Sequence, residues 1–404
     1  MQNKEAMKMK VLVINCGSSS LKFQLIDAET EQLLFKGLCE RIGIEGSQIS
    51  YTATGKDKVT KVTPMPEHKT AVSLVLEALT ESGVVKSLDE IDAVGHRIVH
   101  GGENFTQSVV INEDVGKAIE EVSDLAPLHN PANVIGIRAC QELMPGTPMV
   151  AVFDTAFHQT MPEEAYLYGL PYDIYKNHKI RRYGFHGTSH SFVSKKVAEI
   201  EGKPYDSLKI IVCHLGNGAS VSAVKNGECV DTSMGLTPLE GLIMGTRCGS
   251  IDPSVIETLE KKMNLDTAGV MKVLNKESGV YGLSEGISSD FRDLEDAYLK
   301  GDKNAIRAVD CFCYQVLKFI GSYTAAMNGV DCIAFTAGVG ENSGFVRKLI
   351  IDRLGFLGVK CNDEANKVRG EEKLVSTEDS KVRVYVVPTN EELAIARDTY
   401  ELLK

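Results

Sequence analysis

Two stretches of this chain place small residues where an anion could be held: residues 11–23, VLVINCGSSSLKF, and residues 210–222, IIVCHLGNGASVS. Each is a short β-branched run, a turn of small residues, then a second run that begins to alternate. Gly17 and Gly216 lie 199 positions apart in a chain of 404 residues, about half its length. Turns built from Gly, Ser and Asn let backbone N–H groups approach an anion closely. The half-chain spacing predicts a duplicated domain that holds a polyphosphate between its halves. Asn15, Ser18, Ser20 and Lys22 surround the first turn. There a Lys meets phosphate as a point charge, and hydroxyls bond phosphate oxygens or a hydrated magnesium. A Ser-rich hairpin with one solvated Lys is the plainer reading of the same residues. No GxxxxGK[ST] pattern occurs, so the chain is not a P-loop NTPase.

A third glycine run, Gly338 to Asn342 (GVGEN), follows a buried strand and precedes a helix, a setting that suits phosphate or nucleoside contact. It lacks the third glycine of a dinucleotide fingerprint. Basic residues stand in unusual company: His96, Arg97 and His100 in GHRIVHGG, His129 in APLHNP, His186 and His190 in RRYGFHGTSH, and Arg247 in GTRCGSIDP. Small and apolar neighbours around Arg97 and Arg247 point to partial burial against an anion. His186 and His190, four apart, read either as polar core residues or as metal ligands. No Glu lies between them and no third ligand stands out, which disfavours zinc. Asp154 ends a strand, where catalytic or metal-facing carboxylates sit. Glu391 opens a helix, where capping alone also accounts for it.

The elements that must carry these residues read as α/β layers. Strands are expected at residues 10–14, 21–27, 33–39, 49–54, 58–63 and 91–99, with helices at 68–82, 112–123 and 131–143 and a further strand in PMVAVFD. The second half repeats the theme. KIIVCHLG, ASVSAVKNG and ECVDTS form a three-stranded meander turning at Lys225-Asn226-Gly227. Helices dominate from 252 to 328, and DCIAFTAGVGENS is a strand running into a glycine loop and a helix. KVRVYVVP is a last strand, and Thr389 to Glu392 cap a terminal helix. The expected division is a domain over 1–155, joined by the terminal helix at about 389–404, and a nucleotide-binding domain over 156–388.

Composition is that of an ordinary globular protein, 43% hydrophobic and 25% charged, with a net charge of −11. That balance argues against nucleic-acid or anionic-membrane partners. It also makes a locally basic site stand out. The N-terminus does not read as a signal peptide, and no run of 18 apolar residues occurs. Ten Cys without a C-x-x-C pair read as reduced thiols in the core of a cytoplasmic protein.

Together VINCGSSSLKF, GHRIVHGG, LAPLHNP, VAVFDTAFHQTMP, RRYGFHGTSH, HLGNGASV, DTSMGLTPLEGLIMGTRCGSIDP, SSDFRD, TAGVGENS and PTNEELAIARD resemble the acetate kinase family along essentially the whole chain. The resemblance implies two duplicated βββαβαβα domains of the superfamily shared by sugar kinases, actin and heat-shock chaperone ATPases. It implies Mg2+-dependent, reversible phosphoryl transfer from ATP to acetate, with Mn2+ able to substitute and a homodimer expected. By resemblance Asn15 and Glu391 bind the metal. Lys22, His214, Leu215, Gly216, Asn217, Gly218, Asp290, Phe291, Arg292, Gly338, Val339, Gly340, Glu341 and Asn342 line the ATP site. Arg97 binds the substrate carboxylate, and Val99, Leu128 and Pro238 form an apolar pocket for its methyl group. Asp154, His186 and Arg247 match the catalytic positions. Propionate or butyrate kinases of the same fold are the nearest alternative. A nucleotide-driven binding protein such as a chaperone ATPase is the more distant one, though no residues are left over for a client-binding domain.

Overall fold

The computed structural model describes residues 9–127 and 129–404. The chain divides into two compact units, one running to Ala156 and including Asn390–Lys404, the other spanning Phe157–Thr389. Each contains one sheet. In the first unit the strands are β1 (Lys10–Cys16), β2 (Ser20–Asp27), β3 (Gln32–Glu40), β4 (Gln48–Ala53), β5 (Val59–Val62), β6 (Ala93–Ile98), β7 (Val109–Val110) and β8 (Met149–Phe153). Their order is β5-β4-β3-β2-β1-β6-β8-β7. In the second they are β9 (Lys209–Leu215), β10 (Ala219–Lys225), β11 (Glu228–Thr232), β12 (Cys332–Thr336), β13 (Lys373–Leu374) and β14 (Arg383–Val386), ordered β11-β10-β9-β12-β14-β13.

The two sheets share one central topology. An antiparallel meander (β1-β2-β3 or β9-β10-β11) continues through its first strand into two parallel strands (β6 and β8, or β12 and β14). β1 and β9, and likewise the first residues of β2 and β10, begin 199 positions apart, the offset between Gly17 and Gly216. The duplication expected from sequence is therefore present in the topology. The central strands β1 and β9 are covered on both faces, which is why they read as β-branched runs rather than alternating ones. The β10–β11 turn places Asn226 at φ 56° and Gly227 at φ 79°, the left-handed pair that a two-residue hairpin requires.

Eight helices matter here: α1 (His68–Glu81), α2 (Asn130–Leu143), α3 (Gly187–Glu201), α4 (Phe291–Leu299), α5 (Lys303–Ala326), α6 (Ala337–Asn342), α7 (Gly344–Ile351) and α8 (Glu391–Leu403). α1 and α2 cover one face of the first sheet, with Val72, Val75 and Cys140 against Leu12, Ile14 and Phe23. α8 covers the other, setting Ile395 and Ala396 on Val11, Val13, Val150 and Val152. Gly95 permits this close approach: a Cβ there would lie 2.6 Å from both Ile395 and Thr399 side-chain atoms. In the second unit α3 packs Val193 and Val197 on Ile210 and Val212. α5 buries an i, i+3, i+4 stripe from Ala305 to Tyr323. The final helices are exchanged along the chain. α3 follows β8 in sequence yet belongs to the second unit, whereas α8 follows β14 and belongs to the first.

One expected loop is a helix. GVGEN lies in α6, opened by Ala337 at φ 63°. The Glu341 carboxylate holds this short turn by accepting from Ala337 N at 2.8 Å.

Candidate active site

In the first unit three parallel strands deliver polar residues to one end of the sheet. Asn15 is next to last in β1, Arg97 next to last in β6, and Asp154 directly follows β8. Side chains alternate along a strand, so these residues share a face with Val11, Val13, Gly95 and Val152, the face covered by α8. α8 contributes its first residue, Glu391. Carboxyl ends of parallel strands are where α/β folds bind ligands. Arg97 donates from Nε to Asp154 Oδ1 at 2.9 Å and from Nη2 to Oδ2 at 2.6 Å. Its Nη1 lies 3.4 Å from Asn15 Oδ1, and Glu391 Oε2 lies 3.9 Å from Nε. Asp154 is 1% exposed. Burial opposes the charge on Arg97, and the Asp154 carboxylate more than offsets it, so the guanidinium is held above its ordinary value. Burial pushes the Glu391 carboxyl up to about 7, with Asp154 and Glu392 adding to the rise against the pull of Arg97 and Lys22.

In the second unit imidazoles gather around the glycine turn after β9. His186 opens α3 in the left-handed conformation, φ 58°. Its ring stacks on His214 with centroids 4.1 Å apart. Its Nδ1 lies 2.9 Å from Ser220 Oγ on β10. A Cβ on Gly218 would sit 3.0 Å from Arg247 Nη2 and 3.5 Å from His186 Nε2, so both basic groups converge on that glycine. Arg247 is anchored by donating from Nη1 to the Pro238 carbonyl at 2.6 Å. Burial lowers its pKa, and no carboxylate ion pair offsets the cost among the described residues. A desolvated guanidinium of this kind is suited to an anionic ligand.

The same unit contains a cavity of about 770 Å³, lined by Gly216, Asn217, Asp290, Phe291, Gly338 and Val339 among others. Asn217, at the β9–β10 turn, requires a glycine opposite: a Cβ on Gly245 would be 1.9 Å from its Oδ1. Asp290 caps α4 by accepting from Arg292 N at 2.9 Å, and the Arg292 side chain folds back on it. Glycine amides, a buried aromatic and small polar groups suit a nucleoside phosphate.

The model of the acetokinase family matches residues 10–397. The chain is 66% identical to the acetate kinase of Agathobacter rectalis over 398 residues, 98% of this chain and all of that protein. The chain belongs to the acetokinase family. Among solved structures it is similar to the acetate kinase of Porphyromonas gingivalis, with TM-score 0.95, 48% identity and coverage of 98% of this chain and 100% of that one. It is also similar to a propionate kinase from Francisella tularensis, with TM-score 0.92, 42% identity and the same coverage.

The residues expected at an acetokinase site fall into three groups. Asn15, Arg97, Asp154 and Glu391 form one cluster in the first unit. His186, Gly218 and Arg247 converge in the second. Gly216, Asn217, Asp290, Phe291, Arg292, Gly338, Val339 and Asn342 line its cavity. Others expected at ATP do not line that cavity. Leu215 is a fully buried strand residue. Gly340 packs against the Phe335 and Cys213 backbones. His214 stacks on His186. The Glu341 carboxylate is engaged by Ala337 N and Thr389 N. Lys22 belongs to the first unit, where it lines a groove of about 340 Å³ with Lys36, Lys58 and Glu392. Val99 is buried, its N–H donating to Asn133 Oδ1 at 3.1 Å. Pro238 contributes its carbonyl to Arg247, and Leu128 lies outside the described residues.

Sequence reasoning missed Ser289, Glu295, Ser343 and Arg369, which also line the cavity. It missed Arg347 as well. Arg347 is fully buried behind the cavity and donates to the Gly340, Asn366 and Val368 carbonyls and to Asn366 Oδ1. An Arg in a helical stretch carries no sign of that role. His190 engages serine hydroxyls through both ring nitrogens, the arrangement of a satisfied core residue.

Proposed function

We propose that this protein is an acetate kinase, transferring the γ-phosphoryl group of ATP to acetate, reversibly, to give acetyl phosphate and ADP. The observation that carries the reading is likeness over nearly the whole chain to relatives named acetate kinase. The two basic clusters supply matching chemistry. Acetate is already ionised at neutral pH, so attack on phosphorus needs no general base. Asp154 then serves to orient Arg97: it occupies the Nε/Nη2 edge and leaves the Nη1/Nη2 edge for the substrate carboxylate. Phosphoryl transfer passes through a loose state with charge spread over three equatorial oxygens. Arg247 and His186, converging on Gly218, are the donors for those oxygens.

Asn15 and Glu391 are the residues to hold Mg2+, or Mn2+ in its place. The donor set fits a hard cation, being oxygen alone, and Mg2+ takes only one or two carboxylates beside substrate phosphates. Burial, with smaller contributions from Asp154 and Glu392, raises the Glu391 carboxyl, and a bound cation would favour its ionised form. When bound, the cation neutralises charge on the polyphosphate. The unit Phe157–Thr389 is the nucleotide-binding domain, its cavity taking the nucleoside. The reading extends to a homodimer in the cytoplasm without nucleic-acid or membrane partners, supported by family likeness and net charge −11. Among the described residues no helix is long and apolar enough to cross a membrane.

The likeness to a propionate kinase favours a second reading, preference for a longer acid. One methylene in an apolar pocket is worth about 1–3 kcal/mol, so substrate ranges overlap. Acyl phosphate trapped with hydroxylamine, in parallel reactions with acetate, propionate and butyrate, tests both. Acetate is expected to give the highest kcat/KM, with product lost in Arg97→Ala and Arg247→Ala. A higher kcat/KM for propionate or butyrate selects the second reading, and no product with any acid overturns both.

A further inference from the structure

A run of hydroxyl–imidazole contacts leads inward from His186. Its Nδ1 lies 2.9 Å from Ser220 Oγ. Ser220 Oγ lies 2.7 Å from His190 Nε2, and His190 Nδ1 lies 2.8 Å from Ser222 Oγ. Ser220, Ser222 and His190 are fully buried.

The proton on each bond follows from counting donors. A serine hydroxyl has one proton to give, and a neutral imidazole has one N–H and one lone pair. Among the described residues, His190 Nδ1 is the hydrogen-bond partner of the Ser222 hydroxyl. A buried O–H without an acceptor is costly, so Ser222 donates and Nδ1 accepts. Burial holds His190 well below its ordinary value, with His158 and His214 adding to the effect, so it is neutral. Its one proton therefore sits on Nε2 and goes to Ser220 Oγ. Ser220 in turn has its own proton to place, and the acceptor beside it is His186 Nδ1.

We propose that Ser220, set by His190 and Ser222, is a positioning residue that holds His186 as the neutral tautomer protonated on Nε2, the ring nitrogen nearest Gly218. Protonating His186 puts a second N–H against the Ser220 hydroxyl, which must then turn and leave its proton without an acceptor. The array opposes the imidazolium. The titratable and charged groups facing it agree. His214, from β9, stacks on His186. Arg247, from the segment after β11, meets Gly218 beside it. His158, from the turn Ala156–Thr160, stands edge-on to His190 at 5.6 Å. None is an anion. Arg247 supplies the charge and His186 a directed, uncharged N–H, available through neutral and alkaline pH. The purpose of this device rests on the kinase reading, but the tautomer does not.

The test is 15N NMR of the full-length protein with labelled histidine, from pH 5.5 to 8.5, with His186 assigned by comparison with His186→Gln. The expected result is a neutral His186 with the proton on Nε2 at pH 7.5, titrating at least one unit below the ordinary value of about 6.5. Ser220→Ala moves that midpoint up toward about 6.5 and lowers kcat about tenfold at pH 8. Part of that loss returns as pH falls to 6.5, with KM for ATP little changed. His190→Gln, whose amide still donates to Ser220, keeps the wild-type pH profile, and His190→Leu does not. An imidazolium or an Nδ1-protonated His186 at pH 7.5 in the wild type overturns the proposal, whether or not the variants fold. So does a Ser220→Ala enzyme with the wild-type pH profile. Failure of the wild type to make acyl phosphate sinks the kinase reading, while the histidine spectra still decide the tautomer.

Discussion

The Arg97 guanidinium lies edge-on against the Asp154 carboxylate, with two parallel bonds of 2.9 and 2.6 Å. An amide in place of that carboxylate keeps the shape but offers one acceptor where two were used. Asp154→Asn is therefore expected to lower kcat/KM for acetate by about 10²-fold, largely through KM, with an altered magnesium dependence. Initial rates over a grid of acetate and magnesium concentrations check this. Near-full activity with unchanged magnesium dependence would remove Asp154 from the role of orienting Arg97.

Gly218 is the point where Arg247 and His186 meet. Gly218→Ala adds a carbon 3.0 Å from Arg247 Nη2, so the guanidinium must move by a few tenths of an ångström. Positioning errors of that kind cost activity rather than fold. The expected result is a kcat at least about tenfold lower with an almost unchanged melting temperature. Equal losses in both would show that the glycine is structural.

Arg347 is buried with its donors on three carbonyls and one side-chain amide oxygen. Arg347→Met leaves those acceptors unpaired behind α6. A loss of about 3 kcal/mol or more in urea unfolding is expected, with weaker nucleotide binding at temperatures where the variant is folded. A loss below about 1 kcal/mol would mean that water replaces the guanidinium.

Burial raises the Asp231 carboxyl to about 6, against the pull of Arg182. The folded state therefore binds this proton more tightly than the unfolded chain does. The contribution favours folding at low pH, fades as pH rises from about 4 to 6, and is a constant penalty above that. Asp231→Asn keeps an acceptor for Thr232 N and removes the charge. It is expected to be more stable than wild type at pH 8, on the order of 2 kcal/mol, with the gap closing toward pH 4. Unfolding midpoints at both values check it, and an equal gap at both would contradict the burial origin of the shift.

Much of the fold is legible because the signals are local. The offset of Gly17 and Gly216 anticipates the matched sheets, since each turn closes a hairpin next to a doubly covered strand. Arg97, Asp154, His186 and Arg247 stand out because charged or imidazole groups sit among small apolar neighbours. What escapes is long-range. Nothing near Glu341 in the sequence shows that its carboxylate accepts from Thr389 N, 48 positions away. GVGEN reads as a loop because neither the strained Ala337 nor that carboxylate contact has a sequence signature. Ser220 and Ser222 are ordinary strand serines until α3 lays His190 between them. The exchange of α3 and α8 has no local signature, since each helix has the same apolar stripe whichever sheet it covers, although the expected division already gives the terminal helix to the first domain.

That exchange sets the order in which the protein is completed during synthesis. The second unit receives its covering helix α3 before its own strands are made. The first unit waits: Val11, Val13, Val150 and Val152 have no Ile395 or Ala396 to cover them until residues 391–403 leave the ribosome. A nascent chain thus carries an open apolar sheet face through the translation of more than half its length, a target for holdase binding and for premature association. A chain that stops before Glu391 has every element of its second unit and leaves one sheet face of its first uncovered.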